Sequence, residues 1–289
     1  MKKLNFLIII ILILISTKIR AQNIAQVNII YEFRYVRDLS NKDNIYKSNM
    51  VLSVAKNKSR YCTEKIFNDN DEKILESRKK EQDQLQSTFS TTLTSVSGGP
   101  ILSIGKSGVL INEEIIKNIE ENKIYIETKI GLKTYKIENT LQEIKWTVFP
   151  EMKKIGNYEC QKASSYFGGR NYEVWFTKEL PFQDGPWKLH GLPGLILEAY
   201  DTNKEICFYF KEIVKKENVD ITIRSFLNSP YSISTNIEDL NRIKKAFEID
   251  PEGVIISQAP NARIYIKNID NPTEKSVYKV KKYNPMELK

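Results

Sequence analysis

The stretch KIYIETKI, residues 123–130, decides the fold class, because its polarity alternates with a period of two. Ile124, Ile126, Thr128 and Ile130 fall on one face, and Tyr125, Glu127 and Lys129 on the other. That is the pattern of a strand buried on one side. Downstream the runs GLKTYKIE, EIKWTVF, YECQKASSYF and NYEVWFT repeat the style, punctuated by Gly131, by Pro150 with Gly156, and by Gly168-Gly169. A Gly-Gly pair between two strand patterns is a hairpin signal. The spacing is too short for parallel crossovers, which take a dozen or more residues, so neighbouring strands are antiparallel. Upstream, VNIIYEFRYV (27–36) reads as a strand, and MVLSVA (50–55) with SRYCTE (59–64) as a hairpin across Lys56-Asn57-Lys58. LILEAYD (195–201) and EICFYFKEIV (205–214) form another, turning at Thr202-Asn203-Lys204.

Two stretches break the period. Thr235-Asn236-Ile237-Glu238 is a capping-box pattern, and Ile237, Leu240, Ile243 and Phe247 follow at helical spacing until Asp250-Pro251 closes the helix. Asp69 to Gln86 is charged and lacks Gly and Pro, which suits a polar helix; the polar run Ser87–Pro100 follows it. The expectation is a mainly β (α+β) protein. Its sheet is a curved antiparallel meander, with an open half-barrel as one form it can take. One amphipathic helix packs on the sheet, and a polar helical insertion occupies about 68–100. Fifteen tyrosines and twelve phenylalanines fit half-buried strands. Neither a repeat nor a Pro- or Gly/Ser-rich linker divides the chain, so residues 22–289 read as one domain.

The amino terminus supplies an address. Lys2 and Lys3 precede an apolar run from Phe6 to Ile15, and Ala21 offers a small residue for cleavage. Residues 1–21 therefore read as a secretory signal peptide. The run is short of the about 20 residues of a membrane span, so the processed chain is not expected to be an integral membrane protein. The periplasm is the expected location, with secretion the alternative. The formal net charge is +8, but Lys2, Lys3, Lys18 and Arg20 all lie in the signal, which contains no acid. The densest remaining basic cluster is Lys279, Lys281 and Lys282, too sparse for a nucleic-acid face.

The segment Trp187–Asp201, WKLHGLPGLILEAYD, carries two glycines, a proline and the only histidine of the chain. It lacks the Gly-Lys-Ser/Thr ending of a Walker loop and the G-x-G-x-x-G of a dinucleotide fold. Glycine permits positive φ and proline fixes φ, so Gly191-Leu192-Pro193-Gly194 reads as a tight apolar corner feeding a core strand. WFT at 175–177, GPW at 185–187 and GLPGLILEAYD at 191–201, with YECQKA around Cys160 and the terminal NPMEL, resemble the GLPGLI family of Bacteroidota proteins. Gly185, Pro186, Gly191, Leu192, Pro193, Gly194, Leu195 and Ile196 are the residues of that motif. The resemblance implies an exported, predominantly β protein of unknown function, with no catalytic residues to carry over.

Candidate chemistry is thin. A lone His190 excludes histidine-rich metal sites, and no cofactor or metal motif stands out. Cys160 and His190 could serve as nucleophile and base only if the fold brings them together. No serine stands in a G-x-S-x-G elbow. In an oxidising compartment one disulfide can form among Cys62, Cys160 and Cys207, and Cys62–Cys160 is the expected pair, with Cys207 a core thiol. Trp175, Trp187 and His190 are the candidate ligand contacts, within an aromatic set that includes Trp146, Tyr166, Tyr172 and Phe176. The expected function is a non-enzymatic binding or accessory protein of the cell envelope, with an outer-membrane protein or an apolar small ligand as partner. A hydrolase with an unrecognised site and a structural envelope component are the alternatives.

Overall fold

The computed structural model describes residues 24–69, 76, 79, 80, 101–105, 113–215, 219, 221, 232–258, 263–267 and 282–288. The anticipated signal segment and most of the anticipated insertion at 68–100 lie outside the described residues.

The protein is mainly β. Strands β1 (Val27–Val36), β2 (Ile45–Val54) and β3 (Lys58–Thr63) lead into the short helix α1 (Glu64–Asn68). Then come β4 (Ile101–Gly105), β5 (Glu113–Asn118), β6 (Lys123–Ile130), β7 (Lys133–Thr140), β8 (Thr147–Ile155), β9 (Tyr158–Phe167) and β10 (Arg170–Thr177). The order ends with β11 (Leu195–Asp201), β12 (Ile206–Val214), β13 (Ser232–Ser234), α2 (Ile237–Ile249), α3 (Pro251–Gln258) and β14 (Arg263–Lys267). Twelve strands form one sheet in the order β13-β7-β6-β5-β3-β2-β1-β12-β11-β10-β9-β8, and β14 pairs with β4 in a separate ribbon. The twelve-stranded sheet is mixed: β13 lies parallel to β7, and every other pairing in it is antiparallel. Its ends, β13 and β8, do not pair, so the sheet is not a closed barrel.

The hairpins form where the turn chemistry puts them. Gly168 and Gly169 both take positive φ, 57° and 81°, between the paired β9 and β10. A side chain at either would resist that geometry. β2 pairs with β3 across residues 55–57, and β11 pairs with β12 after Asp201. Alternation then sorts side chains between two faces. On β1, Ile29, Tyr31, Phe33 and Tyr35 enter the main core, while Ile30 joins a smaller cluster with Val51, Cys62 and Phe67. Phe33 stacks on Phe208 of the neighbouring strand with ring centroids 5.1 Å apart.

Three segments cover the main-core face. Helix α2 is the anticipated amphipathic helix and buries Leu240 and Phe247. Its cap is Asn236, whose Oδ1 accepts from the Asp239 N–H at 2.8 Å, and Glu238 and Asp239 complement the positive end of the dipole. It stops at Asp250 because Pro251 follows, and α3 adds Ile255. The loop between β10 and β11 contributes Trp187, Leu189 and Leu192. The carboxy-terminal strap, residues 283–288, packs Met286 against the same core.

None of the three cysteines is in a disulfide, and all three are buried. The Cys62–Cys160 disulfide anticipated from the sequence does not form, for two geometric reasons. Cys62 is on β3 and Cys160 on β9, with five strands between them in the sheet, and the two belong to different clusters. Strand spacing of about 4.8 Å puts such positions far beyond the ~7 Å limit for bridged Cα atoms. Among the described residues no helix is long and apolar enough to cross a membrane.

Candidate functional site

A cavity of about 480 Å³ opens between α2, the strap and the main-core face of β5 and β6. Alternation on β5 explains its floor. Glu113, Ile115 and Lys117 share one face, and they meet respectively the cavity, the core and the β10–β11 loop. Trp187 forms a buried aromatic wall, packed on Phe167 and Tyr172 and stacked on Phe208 at 6.5 Å. Tyr35, whose hydroxyl donates to the Asn284 carbonyl, and Tyr283 complete the lining.

Three ion pairs border the cavity, whose lining carries more cations than carboxylates. Lys244 of α2 reaches Glu113 at 2.8 Å, Arg37 pairs with Glu248, and Lys188 pairs with Glu287 of the strap. Burial works to raise the Glu113 carboxyl, but Lys244 and Lys188 together hold it below the usual carboxylate range. Burial dominates at Glu248 and pushes it upward against the pull of Arg37. The cavity therefore holds two carboxylates displaced in opposite directions. Burial also raises the Tyr283 phenol, so the hydroxyl stays a neutral donor and acceptor.

The strap is fixed by one buried arginine. Arg170 donates to Asp201 at 2.7 Å, to Glu205 at 3.3 Å, to the Pro285 carbonyl at 2.6 Å and to the Met286 carbonyl at 3.2 Å. Asn284 adds bonds to the Val36 carbonyl at 2.8 Å and to Glu205 at 3.2 Å. The NPMEL segment is thus a wall of the cavity held from the β10–β11 end of the sheet.

The three ligand-contact candidates are not gathered at one site. Trp187 lines the cavity. Trp175 sits one residue out of phase with Tyr172 and Val174 on β10, so it faces the other way, under Lys153 at 4.5 Å and bonded to the Tyr200 hydroxyl at 3.3 Å. His190 is half-buried, with Nδ1 2.9 Å from the Lys188 carbonyl, while its own carbonyl accepts from the Trp146 indole at 2.8 Å. Burial and the nearby Lys117 both lower its basicity. Cys160 instead contacts the Tyr158 carbonyl, so the Cys160–His190 pair considered from sequence is not made. Tyr166 is 70% exposed and Tyr172 lies in the core. Among the described residues no group of three or more His, Cys, Asp or Glu could hold a metal ion.

The motif residues form the corner itself. Gly191 has φ 92° and Gly194 φ 157°. A Cβ on Gly194 would lie 2.7 Å from the Thr177 carbonyl carbon and closer still to its oxygen, so close approach of two backbones is what requires glycine there. A Cβ on Gly185 would meet that of Ile196 at 2.8 Å. Leu192, Leu195 and Ile196 are buried, and Pro186 accepts from the Leu189 N–H.

The fold and site together are those of an open, mainly β protein with a cavity walled by a buried tryptophan and bordered by ion pairs. The family model described as "N-glycanase peptide, N-terminal domain" matches residues 45–233, and the chain belongs to that family. Two solved structures of PNGF-II are similar, one in space group C2 at 15% identity and one in P21 at 16%, each with a TM-score of 0.48. They cover 77% and 76% of this chain but 33% of their own, so the chain spans about a third of the length of the solved structures it matches. A search of curated proteins finds no match.

The match overturns two expectations. Membership of the GLPGLI family gives way to the N-glycanase amino-terminal domain family, and the six-residue motif is the corner at which Gly194 passes close to Thr177. The expected non-enzymatic envelope protein of unknown function gives way with it, since the family is named for an enzyme. Sequence reasoning missed Glu113, Lys244, Glu248 and Tyr283. They come from segments scattered over 171 positions, and singly each looks like a solvated charge or a surface phenol.

Proposed function

We propose that this chain works in N-glycan release, as the domain that seats the carbohydrate of an asparagine-linked glycopeptide for hydrolysis of the glycan–asparagine amide. Family membership over residues 45–233 is the observation that carries this conclusion. The cavity supports it. A sugar presents hydroxyls that need paired donors and acceptors and a ring face that needs an aromatic, and Glu113, Tyr283, Lys188 and Trp187 offer both kinds of contact. An export signal at residues 1–21 would place the work in the periplasm or outside the cell, and residues 22–289 act as one domain in this scheme.

The test is calorimetric titration of the purified chain with an asparagine-linked glycopeptide and with the same peptide stripped of its glycan, followed by mass analysis of the glycopeptide for loss of the sugar. Binding that requires the glycan and weakens at least tenfold in Glu113→Gln is expected. Equal affinity for both peptides, or none for either, overturns the proposal.

A further inference from the structure

The buried amine of Lys117 does not line the cavity, yet all three of its donors are used. It is completely buried, and its Nζ donates to the Asp184 carboxylate, to the Gly185 carbonyl at 2.8 Å and to the Leu189 carbonyl at 3.2 Å. An ammonium has three donors, and all three are taken by one loop. Those acceptors bracket residues 185–189, whose tip is Trp187-Lys188. Trp187 holds φ at 55°, a left-handed conformation that strains a non-glycine residue and persists only where the surroundings impose it. Lys188 then crosses to Glu287 of the strap. The loop also has bonds of its own, among them the Gly185 N–H to the Asp184 carboxylate at 2.7 Å and the Gly191 N–H to the Gln183 carbonyl at 3.0 Å, but Lys117 is what ties it to β5, and the second Asp184 carboxylate oxygen has no hydrogen-bond partner among the described residues.

We propose that Lys117 is a positioning residue for the cavity: it draws the 184–189 loop onto β5 and so sets the strained Trp187 and the Lys188–Glu287 contact that form one wall. This rests on the conclusion that the cavity seats a glycopeptide. Lys117 itself touches no ligand. Its effect is on where the wall stands, which a purely stabilising ion pair would not control.

A double variant separates the two roles. Removing one partner leaves a buried charge and can unfold the protein, whereas replacing both by apolar residues of similar size is often neutral for stability. Lys117→Met/Asp184→Leu keeps the packing but leaves the Gly185 and Leu189 carbonyls without their donor. The experiment is made in a Trp146→Phe/Trp175→Phe background, so that emission reports Trp187 alone. Thermal unfolding, acrylamide quenching of Trp187 and affinity for the asparagine-linked glycopeptide are measured together. The expected result is a melting temperature within a few degrees of the parent, at least threefold stronger quenching and at least tenfold weaker glycopeptide binding. Unchanged quenching and binding in a folded double variant overturns the proposal. If the double variant does not fold, Lys117→Arg is the second variant: its longer, planar head keeps the charge but displaces the loop, so altered quenching with weaker binding is expected, and no change in either overturns the proposal. If the parent does not bind glycopeptide, the functional conclusion falls, and quenching alone decides whether Lys117 sets the wall.

Discussion

Replacing Gly194 by alanine adds a single methyl group where two backbones pass each other. The new Cβ would sit 2.7 Å from the Thr177 carbonyl carbon and 3.1 Å from Lys178 Cα. These are main-chain atoms at the end of β10, and Thr177 is fully buried and paired with Leu195. No flexible side chain can move aside, so either the corner or the strand end must shift. Overpacking usually costs about 1–3 kcal/mol, and a backbone-on-backbone clash belongs at the top of that range. For a chain of this size, ~3 kcal/mol corresponds to a fall in melting temperature of roughly 6–12 °C. Gly191→Ala is the internal control. Its Cβ meets nothing nearer than the Trp146 indole nitrogen at 3.8 Å, so only the cost of φ 92° remains, about 1–2 kcal/mol. Thermal and urea unfolding of both variants should rank Gly194→Ala as clearly the worse. A Gly194→Ala protein melting within 1 °C of the parent, or a Gly191→Ala protein that is worse, would refute the close-approach explanation.

Other outcomes follow from buried charge and burial. Arg170→Met strips Asp201 and Glu205 of their shared cation and frees the strap, so it should cost about 3–5 kcal/mol in urea unfolding. Cys160 is fully buried, and burial pushes its thiol up to about 11, so native protein at pH 8 should resist iodoacetamide there. Thiol titration after unfolding without reductant should find three thiols rather than one. Glu248 is raised above its ordinary 4.5 by burial, so the native state holds the proton more tightly than the unfolded chain. Its contribution to stability is fully present below pH 4.5 and lost as pH rises through the native value. Glu248→Gln should flatten that slope in a pH series of urea melts.

How much of this was legible in the sequence depends on the range of the interaction. Local chemistry was readable: Gly168-Gly169 as a hairpin, Lys56–Lys58 as a turn, and the α2 stripe of Ile237, Leu240, Ile243 and Phe247. The helix cap shifted by one residue because Asn236 competes with Thr235 for the same role. Non-local relations were not readable. Trp175 and Trp187 look equivalent in sequence, but strand parity turns Trp175 to one face while the left-handed backbone at Trp187 sets its ring in the cavity wall. Lys117 in EEIIKN resembles a solvated charge, since two adjacent isoleucines leave the buried face ambiguous. Only the β10–β11 loop folding back with Asp184 makes it an interior cation. The Cys62–Cys160 pairing failed for the same reason, because sheet order is not written in any local pattern.

The most direct measurement is hydrogen exchange read by mass spectrometry, with the full chain alone and saturated with an asparagine-linked glycopeptide. Slower exchange is expected in peptides spanning 113–118, 184–190, 237–249 and 283–288, the segments that surround the cavity, with the outer face around Trp175 unchanged. Protection confined to the Trp175 face, or none at a glycopeptide concentration that saturates binding, would contradict a glycan-seating cavity.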